Sequence, residues 1–435
     1  MRSLLLAADM LVLLGMSMRW PFVGVLLWSW ISFMNPHQLA WGFASGVPWA
    51  MMTFIATLIG CVVAREPRRL PITGVTAMML AFMLAISATT AVAQSPLPEA
   101  TQKYIWAIKV FTVLLLSVAL LTSRRRIQAL VWVMVLSLAF FGVKGGAYTI
   151  LSGGGARIFG PPSTMIEDNN HLAVGLLVTL PLMNFLRLQS AHRIVRAGLA
   201  ASMVLTLFAV VGSYSRGALI ALAAVAVLFW LKSRRKLLYG ALVSGLVAGA
   251  VSFMPQGWTE RMHTIQSYEQ DNSAEARLTM WHTAWLLAKA RPLVGSGFYG
   301  PYTRVVVDQV DPASPARAVH SIWFETLGEH GFPTFFIWAG MTVAGALASR
   351  RIVRAARDRP ELAWCADLAR MAQVSMVAYL VGGTFLSLCY WDFYFTLLGV
   401  VTAVDVYVRR AVSGTLAAPA PARWVPRAAP QMAAR

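Results

Sequence analysis

Long apolar stretches, separated by short runs of Arg and Lys, recur along the whole chain and limit what it can fold into. A helix that crosses a bilayer needs about 20 apolar residues, and about twelve segments meet this need. Only 13% of the 435 residues are charged and 58% are hydrophobic, whereas about 25% of a soluble domain is charged. The chain is therefore predicted to be an all-α polytopic membrane protein with about twelve transmembrane helices. The segments lie near 4–34, 47–64, 72–93, 104–121, 127–151, 170–187, 194–213, 216–231, 236–253, 320–349, 366–389 and 391–408.

The first of these segments has an ambiguous length. Residues 4–34 are too many for one straight span and few for two. Arg19 and Pro21 divide the segment, and proline interrupts a helix interior. The sequence leaves a kinked helix and a hairpin as open alternatives.

The basic runs all fall on one face when the segments alternate across the membrane. Short loops rich in Lys and Arg face the cytoplasm, so this face is predicted to be cytoplasmic. The pattern accounts for the net charge of +19, and no nucleic-acid partner is expected. Examples of the runs are REPRR (65–69), SRRR (123–126), KSRRK (232–236) and RRIVRAARDR (350–359).

The topology predicts four regions. They are an N-terminal transmembrane bundle (1–253), one large external loop (254–319), C-terminal transmembrane helices (320–410) and a disordered cytoplasmic tail rich in Ala and Pro (411–435).

Three stretches on the external side have a local pattern. Within the large loop, EARLTMWHTAWLLAKA (275–290) predicts an amphipathic helix that lies on the membrane or caps it. VGSGFYG (294–300) predicts a flexible glycine-rich turn. IEDNNHLA (166–173) is interpreted as a plain helix N-cap rather than a site. The predicted apolar face of the amphipathic helix consists of Leu278, Trp281, Trp285 and Ala288.

Charged side chains inside apolar segments are costly and often functional. Arg216 lies in GSYSRGALI (212–220), at the external end where two segments meet. An anion-binding role is favoured, and a snorkelling or helix-terminal arginine is the alternative. Lys109 and Lys144 also fall within apolar segments, where snorkelling is an equal alternative for Lys109. Asp392 is a possible partner for any of these cations.

His320 begins the stretch HSIWFETLGEHG (320–331) at the head of an apolar segment. Glu325 and Glu329 share a different helical face, at an i,i+4 spacing. No His-Glu-x-x-His motif is present, so a metal site is disfavoured and a packed or surface histidine remains the alternative. A titratable base beside fixed cations would suit a diphosphate-linked substrate. The external cations are Arg216, Arg277 and Arg291.

Three of these stretches resemble the O-antigen ligase and polymerase superfamily, the WaaL and Wzy-like proteins. They are GSYSRGA (212–218), RLTMWHTAWLLAKARPLVGSGFYGPY (277–302) and HSIWFETLGEHG (320–331). In order, they resemble the family's SRG turn, its Arg-x3-Trp helix leading to Pro-Leu-x-Gly-x-Gly, and its His followed after ten residues by Gly. The resemblance covers roughly 160–400. The EDNN stretch and SIWFETLGEHG look closer to the O-glycosylation ligase branch associated with exosortase systems.

The resemblance implies an inverting glycosyltransferase with a GT-C-type fold and no metal or other cofactor. It implies a multi-pass protein of the bacterial inner membrane, among membrane lipids, whose active site faces the periplasm. The donor would be a glycan on undecaprenyl diphosphate. The acceptor would be a sugar hydroxyl of lipid A core in a ligase, another lipid-linked repeat in a polymerase, or a protein. A membrane transporter or a scaffold protein remains an alternative of another class.

The residues and the resemblance together suggest a division of roles. His320 is the predicted catalytic base, and the guanidinium groups are predicted to hold the diphosphate in the order Arg216, Arg277, Arg291. Supporting roles are left open for Ser215, Glu325, Glu329 and Lys109.

Overall fold

The computed structural model describes residues 1–40, 42–64, 69–95, 97–232, 252–263 and 272–415, with single positions at 237, 245, 248 and 249. Within these ranges all regular structure is helical and no strand occurs. The all-α prediction is confirmed. The predicted span 236–253 and the predicted disordered tail lie mostly outside the described residues.

Fifteen α-helices make up the described bundle. They are α1 (Arg2–Arg19), α2 (Pro21–Met34), α3 (Trp49–Val63), α4 (Gly74–Ala91), α5 (Pro98–Leu120), α6 (Arg124–Leu151), α7 (Asn169–Gln189), α8 (Arg193–Gly212), α9 (Arg216–Lys232), α10 (Gln256–His263), α11 (Asn272–Ala290), α12 (Arg304–Val307), α13 (Ile322–Ala355), α14 (Ala363–Gly383) and α15 (Asp392–Val412). Short 3-10 helices occur at Phe43–Gly46, Gly300–Tyr302 and Pro360–Leu362.

Six of the described helices, namely α4 to α8 and α13, are long and apolar enough to cross a bilayer. The helices α2 and α3 and the first part of α9 are apolar but shorter. The chain is thus a multi-pass membrane protein, while the number of about twelve spans stays a prediction.

The N-terminal segment forms two helices instead of one kinked helix. Trp20 is extended, with φ −130° and ψ 92°, and Pro21 begins α2. Proline is tolerated at this first position because its missing N–H would have no partner within the helix. The two helices pack on each other as an antiparallel hairpin and share one small apolar core with α3. That core contains Met10, Leu14, Leu27, Ile31, Trp49 and Ala56.

Contacts between distant loops bring the basic runs to one end of the bundle. Arg124 donates a hydrogen bond to Gln189, and Gln189 donates one to Asp367. The guanidinium of Arg124 also lies 5.3 Å from the ring centroid of Trp364. The runs 123–126 and 187–196 therefore meet beside the start of α14.

The helix α11 covers the stretch 275–290 that the sequence predicts to be helical, but its buried face differs from the predicted apolar face. Met280, Ala284 and Leu287 are almost fully buried, whereas Leu278 and Trp285 are 51% and 41% exposed. The helix packs on α13, where Ala284 lies against Gly328. One face thus joins the bundle and the other keeps large apolar side chains exposed, as expected at a membrane surface.

The long helix α13 is interrupted at Gly331, which has φ 74° and ψ −178°. This conformation is essentially restricted to glycine. A Cβ at Gly331 would lie 2.6 Å from the carbonyl oxygen of Pro292, which accepts the N–H of Phe332 at 2.9 Å. Gly295 on the facing loop would meet the backbone of α13 just as closely. Two backbones touch here, so neither position has room for a side chain.

We expect Gly331→Ala to lower the free energy of unfolding by at least about 1–3 kcal/mol, from backbone strain alone. The yield of monodisperse protein in detergent and its thermal midpoint would measure this. Gly198→Ala on α8 is the matched control, because a Cβ there meets nothing within 4 Å and alanine favours helix. Equal stability of both variants would contradict the requirement for glycine at the break.

Candidate active site

His320 lies just before α13 and is held in an unusual backbone conformation. Its φ is 51°, in the left-handed region, and its N–H donates to Oγ of Ser387 at 3.1 Å. Such a conformation is costly for a residue other than glycine and is maintained by its surroundings. The ring Nδ1 is buried and has no hydrogen-bond partner among the described residues. The backbone of His320 is therefore held by Ser387, and Nδ1 of its ring is left without a protein partner in the described part of the chain.

The helix α11 brings Arg277 to this histidine. One turn after Arg277, Trp281 donates its Nε1–H to the carbonyl of Val319 at 3.1 Å and stacks on Phe324 at 5.3 Å. Burial, and next the positive charge of Arg277, lower the pKa of His320 to about 4. His320 is therefore neutral at pH 7, and two of the predicted site residues lie together.

The N-terminus of α7 borders the same place. Asp168 caps this helix by accepting the N–H of Asn170 at 2.8 Å, as the sequence predicts. Burial would raise the pKa of Asp168, but hydrogen bonds from His171 and Asn170 hold it below its usual range. Both Asp168 and His171 act electrostatically on His320. The IEDNNHLA stretch is thus a cap that also adjoins the histidine, a position that the local sequence does not reveal.

The turn that carries Arg216 is connected to this region by contacts of the residues beside Arg216. Ser215 accepts the N–H of Ala218 at 3.2 Å and caps α9, so that Arg216 is the first residue of this helix. Asn169 at the start of α7 donates to the carbonyl of Ser213 at 2.6 Å. Gly217 lies against the ring of Phe385, whose centroid is 6.1 Å from that of Trp281. The SRG turn and the Arg277–Trp281 turn therefore share one aromatic neighbour.

Arg291, the third predicted arginine, lies elsewhere. It follows Arg277 by 14 residues, directly after the last residue of α11, a separation of about 21 Å at 1.5 Å per residue. Its Nη2 donates to the carbonyl of Val92, after α4, at 2.8 Å. Lys109 is half-buried on α5, and Lys144 is exposed on α6. The structure does not bring Arg291 to the His320 group.

Glu325 and Glu329, expected as support for His320, pair with Lys103. The Nζ of Lys103 lies 3.0 Å from Oε1 of Glu325 and 2.9 Å from Oε1 of Glu329. Glu329 also accepts from the hydroxyl of Tyr390 at 2.6 Å and from the N–H of Tyr299 at 2.9 Å. The side chains of Lys103, Glu325 and Glu329 are 13%, 3% and 0% exposed. These three residues form a buried charge cluster between the two helices α5 and α13.

Ser387 lies between this cluster and His320. It accepts the N–H of His320, and it lies close enough to Tyr302 and Glu325 to interact with their side chains. The second histidine, His330, is fully buried and hydrogen-bonded through Nδ1 to the hydroxyl of Thr89 at 2.7 Å. In the described part of the chain, no three His, Cys, Asp or Glu side chains are grouped as a metal site would need.

Comparison with known families adds two matches. Residues 201–339 match a family described as O-antigen ligase. Residues 1–191 match a family of unknown function (DUF5935). No curated protein matches the chain. The first match includes the SRG turn, Arg277, His320 and the break at Gly331, so it covers the residues that the fold brings together.

Proposed function

We propose that this chain, which carries a domain of the O-antigen ligase and Wzy-like superfamily at residues 201–339, transfers a glycan from undecaprenyl diphosphate to a sugar hydroxyl of lipid A core. The reaction inverts the anomeric centre, needs no metal, and takes place at the periplasmic side of the bacterial inner membrane. The matched domain supports glycan transfer of the ligase or polymerase type in general. The observation that carries the assignment of residues is neutral His320 beside Arg277.

His320 is the general base in this proposal. An acceptor hydroxyl is a weak nucleophile, and a base that removes its proton during attack accelerates transfer by about two to four orders of magnitude. The imidazole is neutral at pH 7, and its Nδ1 has no protein partner among the described residues. A fixed backbone holds it in place, since the N–H of His320 is bound to Ser387.

Arg277 and Arg216 bind the leaving diphosphate. Negative charge grows on the diphosphate as the glycosidic bond breaks, and guanidinium groups neutralise it through paired hydrogen bonds. Arg277 lowers the pKa of His320, and a diphosphate beside Arg277 offsets this effect. Donor binding therefore makes the base stronger.

Arg277 in α11 and Arg291, directly after its end, provide a matched pair of substitutions. We expect Arg277→Ala to reduce transfer by about two to three orders of magnitude, as for other lost transition-state donors. The transfer rate of Arg291→Ala should stay within about threefold of the wild-type rate, because this side chain binds the carbonyl of Val92 and lies outside the His320 group. Donor KM and kcat of both variants would be measured. An equal loss of transfer in both variants would contradict the proposal that Arg277, and not Arg291, binds the diphosphate.

The lowered pKa of His320 predicts the pH dependence of transfer. The base acts in its neutral form, so kcat/KM should stay level from neutral pH downward and fall to half near pH 4. The acid limb of kcat should lie at a higher pH, because bound diphosphate raises the pKa of His320. His192→Gln, at the basic end of the bundle, should leave both limbs unchanged. An acid limb of kcat/KM near pH 6.5, the usual histidine value, would contradict the burial of His320 beside Arg277.

Transfer itself is tested with purified protein, an undecaprenyl-diphosphate-linked glycan and lipid A core, in EDTA and without nucleotide. Glycan on lipid A core, seen on a gel, would support the ligase. Longer lipid-linked chains would indicate a polymerase, and a glycosylated protein acceptor would indicate an O-glycosylation ligase. Loss of all transfer in EDTA, restored by a divalent metal, would contradict the metal-independent mechanism.

A further inference from the structure

A cavity of about 140 Å³ lies apart from the residues assigned to transfer. It is enclosed by the C-terminal end of α2, by α5 and α6, by the loop after α6 and by the first residues of α15. The proposed mechanism leaves it unused. Its walls are formed by Ser32, Phe33, Asn35, Trp106, Leu138, residues 163–166, Trp391 and Asp392.

Asp392 gives the cavity its distinctive chemistry. This side chain is 4% exposed and accepts a hydrogen bond from the hydroxyl of Ser32. Among the described residues it has no ion-pair partner, so the expected pairing with a Lys or Arg is not found there. Its place at the first residue of α15 puts it at the positive end of the helix dipole, which offsets part of the cost of burying its charge. A carboxylate in a cavity remains a strong acceptor for a ligand hydroxyl.

Tryptophan side chains line the same cavity. Trp106 is half-buried and Trp391 is 3% exposed. A flat aromatic ring packs well against the C–H face of a sugar, while the sugar hydroxyls need acceptors and amides. Asp392 and Asn35 supply such groups. A lipid tail is a poorer match than a sugar, because it offers no hydrogen-bonding group to the polar side chains of Asp392 and Asn35.

The volume limits the ligand to about one ring. An apolar protein cavity of about 150 Å³ is known to hold a benzene molecule. The present cavity is of that size, and a pyranose carries hydroxyl substituents that benzene lacks, so the cavity takes one sugar ring only in part. Ser163 and Met165 are exposed at the wall formed by the loop after α6, which gives the cavity a route to the outside.

The position of the cavity connects it to the candidate active site. Ile166 lines the cavity, and Asp168, two residues later, acts electrostatically on His320. Two residues span at most about 7 Å. On the other side, Trp391 is four residues from Ser387, which binds the backbone of His320. Two short stretches of chain therefore connect the cavity to residues that act on His320.

We propose that this cavity is a sugar subsite that binds one pyranose ring of a glycan substrate. Asp392 and Asn35 bind its hydroxyls, and Trp106 packs against its C–H face, while Trp391 is stacked on Phe393 and Tyr379 and closes the wall behind them. The chemistry of the ring is the same whether it belongs to the lipid-linked donor or to the acceptor. This inference rests on the proposed function only for the identity of the glycan that carries the ring.

Binding is tested first, without transfer. The probe is the oligosaccharide released by mild acid from the lipid-linked glycans of the source bacterium, and saturation-transfer NMR on the purified protein detects it. We expect saturation concentrated on one ring. Asp392→Asn and Trp106→Leu should each weaken binding by about tenfold or more, as for a lost hydrogen bond to a charged group. Equal binding in the wild type and both variants, or no binding to the wild type, would overturn the subsite.

Matched controls and a kinetic arm complete the experiment. Asp405→Asn, at the opposite end of α15, and Trp132→Leu on α6 should bind the probe as the wild type does. In transfer assays, a raised donor KM in Asp392→Asn would assign the ring to the donor, and a raised acceptor KM would assign it to the acceptor. Sugar binding that depends on Asp392 in a protein without transfer activity would keep the subsite and refute the proposed function. Unchanged KM values for both substrates would overturn the subsite.

Discussion

Replacing His320 by alanine is expected to reduce glycan transfer by about two to four orders of magnitude while donor binding is retained. The imidazole is half-buried and neutral at pH 7, and the charge of Arg277 acts on it, so its loss removes the proton acceptor and leaves the cations that hold the diphosphate. Single-turnover transfer and retention of the lipid-linked donor by the purified protein would separate these two effects. His282→Ala is the matched control, because His282 is an exposed residue of α11.

The backbone of His320 calls for a second variant. With φ at 51°, alanine adds strain, whereas asparagine tolerates the left-handed region well. Asparagine cannot accept a proton as a base does at neutral pH. His320→Asn should therefore be as inactive as His320→Ala. Full transfer in His320→Asn together with loss in His320→Ala would mean that the loop conformation matters and the imidazole does not.

The sequence allowed prediction of the parts of this site that depend on local pattern. Hydropathy predicts the membrane helices, and the Arg-x3-Trp spacing places Arg277 one turn from the tryptophan that contacts Val319. The i,i+4 spacing correctly predicts that Glu325 and Glu329 share a face, since both meet one lysine. These properties follow from helix geometry alone.

The charge cluster around Lys103 shows why contacts between distant segments were not predictable from the sequence. Its partners are 222 and 226 residues away, and no helical or strand periodicity relates such positions. The sequence also predicts that the apolar segment begins near residue 104, whereas α5 begins at Pro98. A proline at the first position of a helix is a recognised start signal, so the helix boundary was accessible from the sequence although the partners were not.

The position of the glycine-rich turn at 294–300 also depends on contacts with a distant segment of the chain. The sequence predicts a flexible turn, but the N–H groups of Ser296 and Gly297 donate to the carbonyls of Gly328 and Glu329 at 3.0 and 2.7 Å. Residues 295–298 are buried. The glycines permit close approach of two backbones, and only the partner segment shows that the turn is docked.

Lys103→Met is expected to cost about 3–5 kcal/mol of folding free energy, as for other buried pairs that lose one partner. Two carboxylates would remain buried without their cation. Since total stability is typically about 5–15 kcal/mol, most of the folded protein should be lost. The yield of monodisperse protein and its thermal midpoint in detergent would measure the loss. Lys144→Met is the control, because Lys144 is exposed on the outside of α6.

Removing all three charges of the cluster distinguishes its contribution to stability from its contribution to transfer. The triple variant Lys103→Met, Glu325→Gln and Glu329→Gln has no uncompensated buried charge, so it should recover much of the lost stability. Ser387 adjoins both Glu325 and the backbone of His320, so a stable triple variant with weak transfer would show that the cluster positions the histidine. Wild-type transfer in that variant would limit the cluster to holding the helices together. An undiminished thermal midpoint in Lys103→Met would contradict the buried ion pairs themselves.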